Sequence, residues 1–391
     1  MSLRRALAIL ISTTLFLAAC GGGGGVGTGG TGGYAAGPIT GFGSVIVNDI
    51  VFDDSGAEVR DGDDGTRLRA ELKLGMTVEV DSEAIRNGAA RATRVRFDSA
   101  LVGPVESVDP AAGRFTVLGQ TVTVDDTTVF DEGLLGRLAL LVPGGWVEVY
   151  ALYDPALQRF RATRVEARLV QPLVYRVRGI VAGLDTATST FRIGNATFGY
   201  GAAGNVPADL RDGQFVRLAV RIAPPVAGRY SVAAFSTAVR SVADLDGVVV
   251  KGLVSRFTSS FDFAVDGRSV DASAPTVVFE GGVPALGQRV EVEGEVRNGV
   301  LRARTVKIKT DEQERERGFD LRGAIVSVSA TLPRSFVLRG LTINTNRTDL
   351  RYENGAASDL AAGRCVEVRA QLASTGTALE ATRIKFESSC R

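Results

Sequence analysis

A loop of acid and glycine, Asp61-Gly62-Asp63-Asp64-Gly65, has the composition of a calcium-binding turn, where carboxylates supply the hard oxygen ligands that Ca2+ prefers. It lacks the alternating ligand spacing and the distant bidentate glutamate of such loops, so a polar turn is the competing reading. Two doublets, Asp53-Asp54 and Asp125-Asp126, carry the residue type that glycan cleavage uses as paired acid and base. Neighbouring side chains on a strand point to opposite faces, so neither doublet converges on one substrate. Arg94, Arg96, Arg302, Arg304, Lys307, Lys309, Arg383 and Lys385 crowd a recurring type of segment. They read either as a ladder for phosphate or acidic glycan, or as halves of cross-strand ion pairs on a wet sheet face. Trp146, the single tryptophan, is a binding platform or a partly buried rim aromatic.

The chain contains no histidine. The usual general base of serine and cysteine hydrolases, the commonest zinc ligand and the physiological pH switch are therefore all missing. No catalytic residue, metal ligand or cofactor is expected. Lys and Arg total 45 against 44 Asp and Glu, a formal charge of +1, which draws the chain to no polyanion, and a nucleic-acid partner is not expected. Beyond Cys20, the cysteines are Cys365 and Cys390, near the C-terminus. In an oxidising compartment the pair invites a disulfide, with two free buried thiols as the alternative.

The elements that carry these residues are repeated. Gly75-x-x-Val78-x-Val80 recurs at Gly144, Gly213, Gly287 and Gly363, the mark of one small β unit copied in tandem. Each copy opens with glycine two residues before a β-branched residue, from Gly43-x-Val45 to Gly323-x-Ile325. A hairpin such as Phe263-x-Val265-x-Gly267 follows, then a crossing that ends in Leu72, Leu141, Leu210, Pro284 or Leu360. The closing segments, Ala92-Thr93-Arg94-Val95, Ala162-Thr163-Arg164-Val165, Ala303-Arg304-Thr305-Val306 and Ala381-Thr382-Arg383-Ile384, place alanine and the aliphatic three apart. Both face inward only if the strand carries a β-bulge, the device that bends strands at the corners of small barrels. The expected fold is all-β: a tandem array of five small OB-like five-stranded β-barrels after a signal peptide and a Gly-rich linker.

With Asn298-Gly299 as a two-residue turn, Val296 faces Leu301 and, past the bulge, Val292 faces Val306 and Val290 faces Ile308. The same register sets Glu79 opposite Arg96, Glu291 opposite Lys307, Glu367 opposite Lys385 and, unfavourably, Glu148 opposite Glu166. Cys365 then lies opposite Glu387, so Cys390 has to curl back for a bridge to form. The mixed-charge run Asp311 to Arg317 reads as a solvated linker or helical turn rather than a recognition element.

Arg4 and Arg5 precede an apolar run to Ala19 that is too short for a comfortable membrane span and fits a secretory signal. Leu17-Ala18-Ala19-Cys20 resembles the bacterial lipobox, and by that resemblance Cys20 is the lipidated first residue of the mature chain; an ordinary signal with a chance cysteine is the alternative. Gly21 stands where, by resemblance to sorting signals, an aspartate would hold a lipoprotein in the inner membrane, which favours the outer membrane. The glycines after Cys20 make a flexible leash. The expected organisation is signal peptide 1–19, linker 20–37, and repeats 38–99, 100–171, 172–243, 244–311 and 318–391.

The G-x-V, F-x-V-x-G, L-x-x-G-x-x-V-E-V and A-T-R-V segments together resemble the bacterial domain of unknown function family numbered 5666, over about residues 39 to 390. Repeat three departs from it, with Val216-Arg217-Leu218 and a blurred closing strand around Ala234 to Val239. The resemblance implies an OB-like fold and an envelope location, and brings no activity and no catalytic residues. The functional expectation is a non-enzymatic envelope lipoprotein, anchored by its N-terminal lipid to the periplasmic side of the outer membrane and serving as a binding or spacer scaffold for envelope glycan or protein. An envelope enzyme acting on glycan through carboxylates and a calcium- or anion-binding module are the alternatives.

Overall fold

The structure, a computed structural model, describes residues 32–135, 137–373 and 378–390. Cys20 and the expected signal peptide lie outside the described residues, as does most of the expected linker. The fold is all-β, and Asp311–Arg317 is the one α-helix among the described residues. The 245–308 segment shows how a barrel closes. Leu245–Ser259 pairs antiparallel with both Asp262–Val265 and Arg289–Arg297; Asp262–Val265 turns back into Arg268–Asp271. Val300–Ile308 then pairs antiparallel with Arg289–Arg297 and parallel with Arg268–Asp271, which closes the ring.

Local rules explain the repeating residues. Gly75, Gly144, Gly213, Gly287 and Gly363 have φ of 79°, 87°, 81°, 76° and 82°, left-handed backbone that an L side chain resists. Each turns the chain into the strand that follows. Of the residues three positions earlier, Leu72, Leu141, Pro284 and Leu360 are buried and Leu210 is half-buried. The closing strands skip one residue each, at Thr93, Thr163, Ala233, Arg304 and Thr382. The skip puts Ala92 with Val95, Ala162 with Val165, Ala303 with Val306 and Ala381 with Ile384 in the core. In the third repeat the bulged strand is Arg229–Ser236, earlier than the blurred segment suggested, with Val232 and Phe235 in the two inward positions.

The barrels are not strung in series. Strands gather into two sheets, one joining 33–97 to 245–387 and the other confined to 101–236. Gly33–Ala36 runs parallel to Gly247–Val250, and Gly41–Phe42 parallel to Asp320–Leu321, so the 33–97 strands are hydrogen-bonded to those of 245–308 and 319–387. Val102 and Leu101 pair with Arg176 and Val177 to join 101–168 to 175–236. The cores fuse accordingly: one cluster holds both Phe52 and Phe336, a second both Phe115 and Phe198, and a third seats Tyr34 among Val250, Phe263 and Val292. Tyr34 therefore corrects the boundary expected at residue 37. Residues 33–37, expected in the linker, are strand, because they pair antiparallel with Val78–Ser82 of their own unit and, over 33–36, parallel with Gly247–Val250.

Candidate binding cleft

The expected ladder cations are turned to internal work. Glu291 pairs with Lys307 (3.7 Å) and Lys309 (3.4 Å), and Lys307 also bonds Glu293 at 2.5 Å. Glu79 is opposite Arg96 in register, yet its carboxylate bonds Arg240 at 2.9 Å while Arg96 reaches Asp64 at 2.8 Å. Glu367 is opposite Lys385 but bonds Arg383 at 2.6 Å, and Lys385 turns to Glu387 at 2.7 Å. Arg94 pairs with Glu58 and Asp81, and Arg304 donates to the Gly294 carbonyl at 2.7 Å. Arg302 is exposed and makes no ion pair within 4.0 Å among the described residues. The like-charged facing pair is real: Glu148 is opposite Glu166, and burial followed by the Glu166 charge raises its pKa against the pull of Arg168. Arg168 contacts Glu148, and Arg164 bonds Glu166 at 2.5 Å, so each carboxylate keeps a guanidinium.

The acidic loop is a clamp between units. Asp61 accepts from the Asp63 and Gly65 amides (2.9 and 2.8 Å) and from Arg67; Asp63 contacts Arg176 and bonds Arg217 at 2.8 Å. Arg217, 3 % exposed, also bonds Asp98 at 3.0 Å. One carboxylate doublet splits as expected: Asp54 is buried on Arg69 and Asp53 is exposed, accepting from the Ser55 amide at 3.1 Å. The other does not, because Asp125 and Asp126 lie in the turn after Gln120–Thr123, off the strands, where both are exposed on the wall of a cleft between units. Cys390 curls back to Cys365 in a disulfide with Cα atoms 5.0 Å apart, while Cys365 sits opposite Glu387. Trp146 is half-buried, paired with Pro104 and Arg168.

A cleft of about 1500 Å3 opens where the 33–97, 101–168 and 319–387 units meet. Its walls alternate apolar groups, such as Leu74, Phe130 and Leu341, with Lys73, Arg164, Arg289 and Arg339. Gly75 fixes one wall, because a Cβ there would lie 2.3 Å from the Thr163 carbonyl, so two backbones meet directly. Arg164 extends across the same contact and donates to the Leu74 carbonyl at 3.2 Å. The Asp311–Arg317 helix forms the far wall through Glu314, Arg315 and Arg317. Thr310 and Gln313 cap its start reciprocally, at 3.2 and 3.0 Å. It is the helical turn of the two expected readings, mostly exposed, and it reaches Lys251, Arg161, Asp126 and Asp49 on three units.

A smaller polar pocket lies where the 33–97, 175–236 and 245–308 units meet, lined by Tyr34, Glu79, Arg178, Arg240, Asp266 and Arg268. Burial pushes Glu79 up, but the hydrogen bond and charge of Arg240 and the charge of Arg268 outweigh it, leaving the pKa lowered. Asp266 has no such partner: burial lifts it to about 6, with Arg178 opposing. Sequence reasoning missed Arg217, Arg240, Asp266 and Arg268 because their partners lie in other units. The helix alone left a local trace, the Thr310-x-x-Gln313 capping pattern.

Residues 102–166, 251–307 and 322–385 each match the family described as "Domain of unknown function (DUF5666)". No curated protein matches the chain. Among solved structures, one described as Drosophila Unr CSD456 shares 16 % identity, covering 54 % of this chain and 97 % of that one, with a TM-score of 0.14. A second, a Streptococcus pneumoniae TIGR4 multidomain protein with nucleic acid binding domains, shares 12 % identity over 53 % of this chain and 71 % of its own, with a TM-score of 0.15. At those scores neither superposition relates the architectures.

Proposed function

Because the chain is a DUF5666 repeat protein, we propose that it is a non-enzymatic envelope scaffold whose units hold a shared binding cleft. The unit count in this reading is five, each an OB-like barrel. The ring order supports the label: first, second, third, last, penultimate and back to first, with a parallel closure. Cys20 carries the lipid, and the glycines behind it give the body reach from the periplasmic side of the outer membrane.

The observation that carries the reading is how charge is used. Arg217, Arg240 and Arg161 tie one unit to another through Asp63, Asp81 and Asp311, so the array is built to fix the geometry of its units. Fixed units that leave a cleft of this size between them suit a binding body better than a pliable spacer. Envelope glycan or an envelope protein is the expected partner.

Affinity capture of the lipidated protein from its own envelope, with purified peptidoglycan and polysaccharide as separate baits, tests this. Wild type is expected to be retained by one bait, and Lys73→Glu with Arg339→Glu, both exposed on the cleft wall, to weaken retention at least tenfold. Retention untouched by those changes moves the site elsewhere. No retention by any bait removes the binding reading.

A further inference from the structure

The Asp311–Arg317 helix, Asp-Glu-Gln-Glu-Arg-Glu-Arg, has no apolar side chain and buries no residue. Seven residues make an isolated helix marginal, and nothing hydrophobic holds this one down. Charge does. Glu314 bonds Lys251 at 2.7 Å, and that lysine is only 2 % exposed. Asp311 contacts Arg161, and its same oxygen lies 3.8 Å from Arg289, so two guanidiniums share one carboxylate. Arg289 is 7 % exposed, and its Nε finds no hydrogen-bond partner. Burial and then the charge of Arg161 lower its pKa, the mark of a cation with too little counter-charge.

Three cations from two units therefore gather on the helix at one end of the cleft, Arg289 on the cleft wall and Arg161 and Lys251 through their ion pairs to the helix, and their main counter-ions sit on this helical strap. Other carboxylates face them only in part. Asp125 is 3.9 Å from Arg161, and Glu291, opposite Lys251 in the ladder, is engaged by Lys307 and Lys309. The strap's remaining ties are Arg315 to Asp126 (3.5 Å), Arg317 to Asp49, and the Gln371 amide to the Arg315 carbonyl (3.1 Å). All are polar contacts at the surface, of the kind that contribute little each.

We infer that Arg161, Lys251 and Arg289 form an anion site for a ligand bearing two neighbouring phosphates, and that Asp311 and Glu314 occupy it in the ligand's absence. Two carboxylates three residues apart on a helix lie on one face, which is the spacing the site already accommodates. Two guanidiniums and an ammonium suit phosphate oxygens, the guanidiniums through paired N–H donors. Lifting the helix removes two negative charges and leaves three cations against Asp125. The ligand's phosphate oxygens then take the places of the strap's two carboxylates on these cations. The inference rests on the cleft being the binding surface and names what one end of it takes.

Inorganic pyrophosphate titrated into the full chain by calorimetry at low salt is the test. Asp311→Asn with Glu314→Gln, which removes the internal competitor, is expected to bind at least tenfold more tightly than wild type, with affinity falling as salt rises. Adding Lys251→Gln and Arg289→Gln is expected to abolish binding. If that variant melts early, Arg161→Gln in the strap-neutral background, at a partly exposed position, reads the same site and is expected to weaken binding. Equal affinity of wild type and strap-neutral chain, or binding undiminished by losing the cations, overturns the inference. Capture by an envelope bait in either event leaves the scaffold reading standing, so the two fail separately.

Discussion

Asp266 gives the most exacting test of the inter-unit packing. It occupies a hairpin turn at φ 45°, tucked over Gly252, where a Cβ would come within 2.0 Å of its Oδ2. Among the described residues its carboxylate accepts one hydrogen bond, a long one from the Leu253 amide, 3.4 Å. Burial raises its pKa from 3.8 to about 6, and the Arg178 charge only opposes this. The sign follows from proton linkage. A carboxyl whose folded value exceeds its unfolded one is harmless below the unfolded value, and its cost grows as pH rises from the unfolded value to the folded one and levels off above it. Two pH units at about 1.36 kcal/mol each put the full cost near ~3 kcal/mol above about pH 7. Asn tolerates left-handed backbone and keeps the shape. Asp266→Asn is therefore expected to stabilise the protein by about 2–3 kcal/mol near pH 8 and by well under ~1 kcal/mol near pH 4. Melting midpoints, with hydrogen exchange across the Asp262–Asp271 hairpin, read the difference. A gain equal at both pH values, or a loss at pH 8, would refute the reasoning that the buried charge is the source of the cost.

Three further outcomes follow from other contacts. Gly75→Ala meets both left-handed backbone and the Thr163 carbonyl at 2.3 Å, whereas Gly363→Ala, at φ 82°, has open space around it. The second is expected to cost about 1–2 kcal/mol from backbone alone and the first clearly more, by urea titration. Glu79→Gln leaves Arg240 and Arg268 short of a counter-charge. About 2–3 kcal/mol is expected, reduced from a fully buried pair by the carboxylate's partial exposure. That wild-type advantage is present above 4.5 and disappears as pH falls through the lowered folded value, so the variant and wild type converge in acid. Cys390→Ser opens a link of sequence separation 25, expected to cost up to about 3.5 kcal/mol on loop-entropy grounds. Faster exchange in Leu379–Glu387, with the 101–236 sheet unchanged, is the readout.

What the sequence made legible was everything decided within one unit. Val296 opposite Leu301, and Val290 opposite Ile308, follow from a two-residue turn and one bulge, both local and both marked by residue type. The left-handed glycine after each crossing is marked too, because no other residue sits easily at φ near 80°. Ion pairing was another matter. Glu79 faces Arg96 in its own ladder, yet Arg240 lies in a different unit and wins the carboxylate. A cross-strand neighbour is worth a few tenths of a kcal/mol to ~1 kcal/mol on a wet face, which is too little to fix a long side chain. No periodicity reports which unit packs on which. Gly33 to Gly37 looked like more leash because glycine and alanine carry little pattern, yet they are strand between two partners, antiparallel to Val78–Ser82 of their own unit and parallel to Gly247–Val250. The cleft was hidden for the same reason, being bounded by residues of four units and a helix with no apolar stripe.

Those two kinds of contact divide the work of the molecule. In a serial array, stability is a sum over sequence neighbours, and each unit can loosen without consulting distant ones. Here the 33–97 unit is laddered to the 245–308 and 319–387 units and shares a core with the latter, so its loss would strip strand partners from both at once. Ladders and merged cores are slow to yield, since opening them exposes backbone and apolar surface together. The Asp311–Arg317 helix spans the same junction with charges alone and can leave without either cost. A body held rigid by backbone pairing, with one adjustable wall held by ion pairs, is able to change what its cleft presents without unfolding the units that frame it.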